Sequence, residues 1–152
     1  MNSKMIENWN SVVSHDDTVY HLGDFSMNAL LGESQGIFDR LNGIKHLIVG
    51  NHDQVGVNLQ GWASINHILE THVDKQRITL CHYAMRVWNK SHHGAYHLYG
   101  HSHGSLPDDI TSRSFDVGVD CHNFTPVSME QVHRIMSKKK WQAIDHHGEN
   151  TR

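Results

Sequence analysis

"KHLIVGNHD", residues 45–53, is a short apolar run that stops at a glycine and passes straight into three polar side chains. The apolar part is too short for a helix with a buried face and reads as a strand. The glycine lets the backbone turn sharply and approach a ligand closely. The same layout recurs around it. "TVYHL" (18–22) is followed by Gly23 and Asp24, and "AYHLYG" (95–100) by "HSH". "RITLCHY" (77–83) runs directly into His82.

Helical patterns separate these runs. Met5, Ile6, Trp9, Val12 and Val13 form one apolar stripe ahead of the first strand. A weaker helix is expected around Asn28–Leu41, diluted by Gly32 and Gly36 and closed by "NG" at 42–43. "INHILETHV" (65–73) and "RITLCHY" read as two strands joined by "DKQ" in a hairpin, and "RSFDVGVD" (113–120) as another strand. After Pro126, Ser128 with Gln131 three residues on is a capping box, followed by apolar Met129, Val132, Ile135 and Met136. We expect one α/β domain spanning residues 1–152, built on a mixed sheet flanked by helices, with a tail disordered from about residue 143. Open α/β sheets bind ligands at the C-terminal ends of their strands, where the polar residues gather here.

Composition narrows the partners. A chain of 152 residues with 38% apolar content supports one core. Nothing approaches a membrane span, and the opening "MNSKMIENWN" lacks the layout of a signal peptide, so a cytoplasmic protein is expected. Cys81 and Cys121 are then read as free thiols in or near the core. The net charge of −3 and the single basic run "SKKK" (137–140), at the end of a helix where cations complement the dipole, give no dedicated nucleic-acid surface. Histidine, with 16 residues, is the outlier, and neutral imidazole is the commonest metal ligand.

The polar residues after the strands are Asp24, then Asn51, His52 and Asp53, then His82, then His101 and His103. Taken alone, "GHSH" (100–103) could be a polar surface loop. Taken together, a carboxylate, a carboxamide oxygen and imidazoles form a mixed N/O donor set. It suits Mn²⁺, Fe, Zn²⁺ or Ni²⁺ and fits poorly with Ca²⁺ or Mg²⁺, which prefer oxygen alone. Arg86, four residues beyond His82, offers a bidentate clamp for a substrate phosphate or a surface salt bridge. His92 and His93 read as loop residues, Trp88 as packing, and Asp116 and Asp120 as supporting residues on a late strand.

"GD" at 23–24, "GNHD" at 50–53, His82 and "GHSH" at 100–103 resemble, in order and spacing, the calcineurin-like metallophosphoesterase family, in its small bacterial and phage form. The resemblance runs from about Asn8 to the C-terminal helix. It implies a metallophosphoesterase fold and metal-dependent hydrolysis of phosphate monoesters or diesters. Asp24 would bridge two metals, Asn51, His82 and His101 would complete one of them, and His103 would bind the other. Mn²⁺ is the metal most expected. His52 would donate a proton to, or hydrogen-bond, the phosphoryl group, with Asp53 orienting it.

The family's first motif, D-x-H, does not occur ahead of Asp24, where "SHDD" at 14–17 has the wrong order. The expectation is therefore a fold shortened by about one N-terminal strand, with one tight metal site, a second weak or absent, and His103 left as a weak ligand. The strand edge so exposed would favour a homo-oligomer. Three functional readings stay open: a phosphoesterase acting on a small phosphate ester, a catalytically impaired remnant that binds metal or phosphate, and a hydrolase of carboxylic esters using the same metal-activated water.

Overall fold

The computed structural model of the chain describes residues 3–26 and 29–145. The order of elements is α1 (Ser3–Val12), β1 (Thr18–His21), α2 (Leu31–Arg40), β2 (Ile44–Ile48), β3 (Ser64–Asn66), β4 (Ile68–Val73), β5 (Gln76–Cys81), β6 (Tyr96–Tyr99), β7 (Ser114–Asp116) and α3 (Met129–Ser137). The strands form two sheets. One is parallel throughout, in the order β1-β2-β3. The other, β4-β5-β6-β7, is mixed: β4 and β5 are antiparallel, and β6 and β7 join in parallel.

The run 65–73, read as one strand, is two. β3 closes the first sheet and β4 opens the second, with His67 between them. Exposure alternates along both strands but slips by one residue where His67 and Ile68 are both exposed, and there the chain passes from one sheet to the other. The hairpin between β4 and β5 turns on Asp74 and Lys75, both left-handed at φ 51° and 68°, as a tight two-residue turn requires.

The core has two parts. Leu22 and Ile48, from the ends of β1 and β2, pack with Ile78, Leu80, Leu98 and Phe115 of the second sheet and with Val132 and Met136 of α3. Burying each such side chain contributes about 1.5–3 kcal/mol. Ile6, Trp9 and Val13 join Phe25, Phe38, Leu41 and Leu59 in the other part. Val12, placed on the same stripe by its spacing, faces outward. The Ser128–Gln131 capping box is formed, with the Gln131 amide donating to the Ser128 hydroxyl and the Ser128 amide to the Gln131 side chain.

Three expectations are corrected, two by burial and one by the end of a strand. Lys139 of "SKKK" is not a solvated helix end. Its side chain is 4% exposed and its Nζ donates to the Asp108 carboxylate and to the carbonyls of Asp109 and Ser114, which pins α3's exit to the approach of β7. Cys81 is buried but Cys121 is exposed, and both are free. Asp120 lies in the 3-10 turn Val119–Cys121, beyond the strand that holds Asp116. Of the tail expected to be disordered, residues 146–152 lie outside the described part. Within it, Asp145 accepts a hydrogen bond from the Ser91 hydroxyl at 2.7 Å. Among the described residues, no helix is long and apolar enough to cross a membrane.

Both sheets deliver the ends of their strands to one place. His82, just past β5, reaches across with Nδ1 to the Leu22 carbonyl, just past β1, at 2.6 Å. The Gly100 amide, just past β6, donates to the His82 carbonyl.

Candidate metal centre

Asp24, His82 and His101 bring one ligand atom each to within 4.8 Å of one another, and the Asn51 side-chain oxygen joins them. The His82 ring fixes the electrostatics. A carbonyl only accepts, so Nδ1 carries the proton that goes to Leu22, and in the neutral ring Nε2 is a bare lone pair. That lone pair faces Asn51 Oδ1 at 3.0 Å, His101 Nδ1 at 3.2 Å and Asp24 Oδ2 at 3.3 Å. His101 Nδ1 stands 3.1 Å from the same Asn51 oxygen. One proton can serve a single pair of these atoms, whereas a cation serves all of them. Donors about 2.0–2.2 Å from a shared ion stand about 3–3.5 Å apart, and the observed spacings lie in that range.

The backbone is bent to make this convergence. Asp24 and His101 are left-handed, at φ 57° and 64°, as is His103 at 48°. Non-glycine residues in that region carry strain that the surrounding structure must hold, and such strain gathers at functional sites. Two glycines are required by contact. A Cβ on Gly50 would run into Asp24 Oδ1 and meet His82 Cε1 at 2.9 Å. At Gly23 it would meet His82 Nδ1 at 2.5 Å, on a backbone already at φ 103°.

Asp53 sits beside the converging side chains, 2% exposed. Its Oδ2 accepts from the amides of Asp24 at 2.7 Å and Gly50 at 2.6 Å, and its Oδ1 from Phe25 at 2.8 Å. The carboxylate thus clamps the turn after β1 to the turn after β2, and no hydrogen bond to the His52 ring accompanies these. His52 is exposed, and its own amide donates to Asp24 Oδ1 at 2.8 Å, which tethers it beside the cluster.

His103 is not brought into the group. Its Nδ1 pairs with Asp120 Oδ2 at 2.6 Å, while Asp116 accepts from the Gly104 and Gly118 amides. It does line, with Asp24, His82 and His101, an open cleft of about 1210 Å³ that runs along β1 and under α3. Arg86 is exposed near the turn that follows His82. Trp88 packs inside and donates to the Ala95 carbonyl. His92 lies 3.9 Å from Asp145.

Sequence reasoning missed Tyr83. Its exposed ring meets His82 edge-on at 5.0 Å and His101 at 4.8 Å. An aromatic directly after a ligand histidine was the available signal. It also missed His21, whose pKa is pushed down to about 4, chiefly by burial, against the opposing pull of Asp53 and Asp24. The ring stacks on Trp9 and accepts from the Gly23 amide through Nδ1.

No family model matches the chain. It is 27% identical over 146 residues to "Uncharacterized protein MJ1445" of Methanocaldococcus jannaschii, covering 92% of this chain and 77% of that one. The fold is similar to that of AQ665, a protein of unknown function from Aquifex aeolicus, with a TM-score of 0.64 at 20% identity over 87% of this chain and 83% of that one.

Proposed function

We propose that the protein is a metal-dependent hydrolase of phosphate esters with a metallophosphoesterase fold, and that Asp24, Asn51, His82 and His101 hold its divalent transition metal, Mn²⁺ foremost. The observation that carries this reading is the convergence of Asn51 Oδ1, His101 Nδ1 and Asp24 Oδ2 on His82 Nε2, at 3.0, 3.2 and 3.3 Å. When bound, a divalent ion there supplies charge neutralisation for a phosphoryl group and acidifies a water. The chain's own residues do the rest. Asp53 fixes the two ligand turns relative to each other, and the Leu22 carbonyl fixes the tautomer of His82. His52, whose amide donates to Asp24 and whose side chain is exposed, would give a proton to a departing alkoxide. Exposed Arg86 would serve as the clamp on the remaining phosphate oxygens.

The test is hydrolysis by Mn²⁺-loaded protein of aryl phosphate monoesters, diesters and carboxylic esters, with His52→Ala alongside. The expected result is turnover of a phosphate ester, falling about 10²–10⁴-fold in the variant, with the larger loss on poorer leaving groups. Turnover of carboxylic esters alone, or of none of the three, would overturn the reading.

A further inference from the structure

Tyr83, whose ring meets His82 and His101, and exposed Arg86 lie on a segment outside any helix or strand, between β5 and the 3-10 turn Ser91–His93. Such a segment has no ladder to hold its amides, so its position must come from other bonds. One comes from His97, in the middle of β6. That histidine is fully buried and both ring nitrogens are engaged: Nδ1 with the Thr79 carbonyl at 2.9 Å, and Nε2 with the Met85 amide at 3.0 Å. The carbonyl requires the proton on Nδ1, so Nε2 is the acceptor for Met85. Burial lowers the pKa of His97, against smaller opposing contributions from the Thr79 and Tyr83 backbones, which keeps the ring in this neutral form. Trp88 closes the segment's far end, its indole donating to Ala95 and its ring 5.2 Å from His97.

We propose that His97 is a positioning residue: by accepting the Met85 amide it sets Tyr83 against His82 and His101 and fixes the backbone from which Arg86 projects. Packing alone does not call for an imidazole between two strands. Here each ring nitrogen meets a partner of the matching kind, one of them the backbone between Tyr83 and Arg86. The consequence for phosphate recognition rests on the function proposed above, while the bracing itself does not.

Two variants separate the two bonds. In His97→Gln the side-chain oxygen can occupy the place of Nε2 and accept from Met85. In His97→Asn the amide can occupy the place of Nδ1 and donate to Thr79, leaving Met85 unserved. Amide exchange at Met85 and the ring resonances of Tyr83, read by NMR in the metal-free protein, test the brace directly. Exchange should quicken about tenfold or more and the Tyr83 signals shift in His97→Asn, while His97→Gln stays close to the parent. Equal Met85 protection in both variants would overturn the proposal.

Titration of the Mn²⁺-loaded proteins with inorganic phosphate tests the consequence. His97→Asn should bind phosphate about tenfold more weakly with Mn²⁺ affinity unchanged, and His97→Gln should restore binding, since a small misplacement of binding groups is felt strongly. Equal phosphate affinity in the two variants, beside a parent that binds phosphate, also overturns it. A parent that binds no phosphate would sink the phosphate-ester reading, and the exchange data would still decide the brace.

Discussion

Replacing Asp53 removes the clamp beside the converging side chains, and its cost can be worked from three distances. Oδ2 serves two amides, at 2.6 and 2.7 Å, and Oδ1 serves one, at 2.8 Å. In Asp53→Asn an oxygen at the Oδ2 position keeps the Asp24 and Gly50 amides, but the NH₂ group then faces the Phe25 amide, donor against donor. One buried N–H left without an acceptor costs about 1–3 kcal/mol, and the two bonds that survive lose their charge assistance. We expect about 2–4 kcal/mol for Asn. In Asp53→Ala all three amides are abandoned, and the cost rises to about 4–7 kcal/mol on the same scale. Water can reach part of this space only by opening the turn, which separates Asp24 from Asn51. Urea denaturation of the metal-free variants gives the stability difference, and Mn²⁺ titration gives the effect on the cluster. Asn should bind metal more weakly and Ala should bind none. If both variants lay within 1 kcal/mol of the parent and kept its metal affinity, the account of Asp53 as the clamp between the two turns would be refuted.

Other predictions concern neighbouring groups. Gly50→Ala puts a methyl against Asp24 Oδ1 and His82 on a backbone that is otherwise acceptable, so metal affinity should fall by about tenfold or more while the fold persists; unchanged Mn²⁺ binding would contradict the close packing. Lys139→Met strips four acceptors of a buried ammonium and should cost about 2–4 kcal/mol by thermal or chemical denaturation, whereas a solvated lysine would cost almost nothing. His21 and His97 both have lowered pKa values, so the unfolded chain binds protons that the folded chain does not. Their contribution is therefore complete above pH 6.5 and is lost as pH falls towards 4, the value for His21. For His21 alone that is at most about 3 kcal/mol, and less because the ring borders the open cleft. A metal-free protein equally stable at pH 4.5 and 7 would contradict it.

The sequence was most legible where chemistry and chain direction coincide. Each short apolar run ends in polar side chains, so the set Asp24, Asn51, His52, Asp53, His82, His101 and His103 was visible in local text. The family resemblance separated Asp24, Asn51, His82 and His101 from it, and the structure brings these four together. What local text hides is partnership across the chain. "GNHD" places Asp53 beside His52, yet its carboxylate is spent on amides 28 and 29 residues away and on Gly50. "GHSH" places His103 two residues from His101, but its ring pairs with Asp120. Lys45 reads as the polar opening of a strand. It is buried, donating to the Leu41 carbonyl with its ammonium 4.4 Å from the Phe38 ring centre, and burial lowers its pKa. His97 looked like one histidine among many, since nothing beside it announces a bond to Met85 twelve residues earlier. The run 65–73 differs in kind: it is strand-like almost throughout, and it is the pairing partners that divide it between two sheets.

The central claim is that the four converging side chains are a metal centre, and Mn²⁺ binding measured by calorimetry together with elemental analysis addresses it most directly. Metal-loaded parent protein should retain about one tightly held ion per chain, and Asp24→Ala and His82→Ala should each lose it while remaining folded by circular dichroism. Full metal content in both variants, or a parent that binds no divalent transition metal above background, would contradict the account.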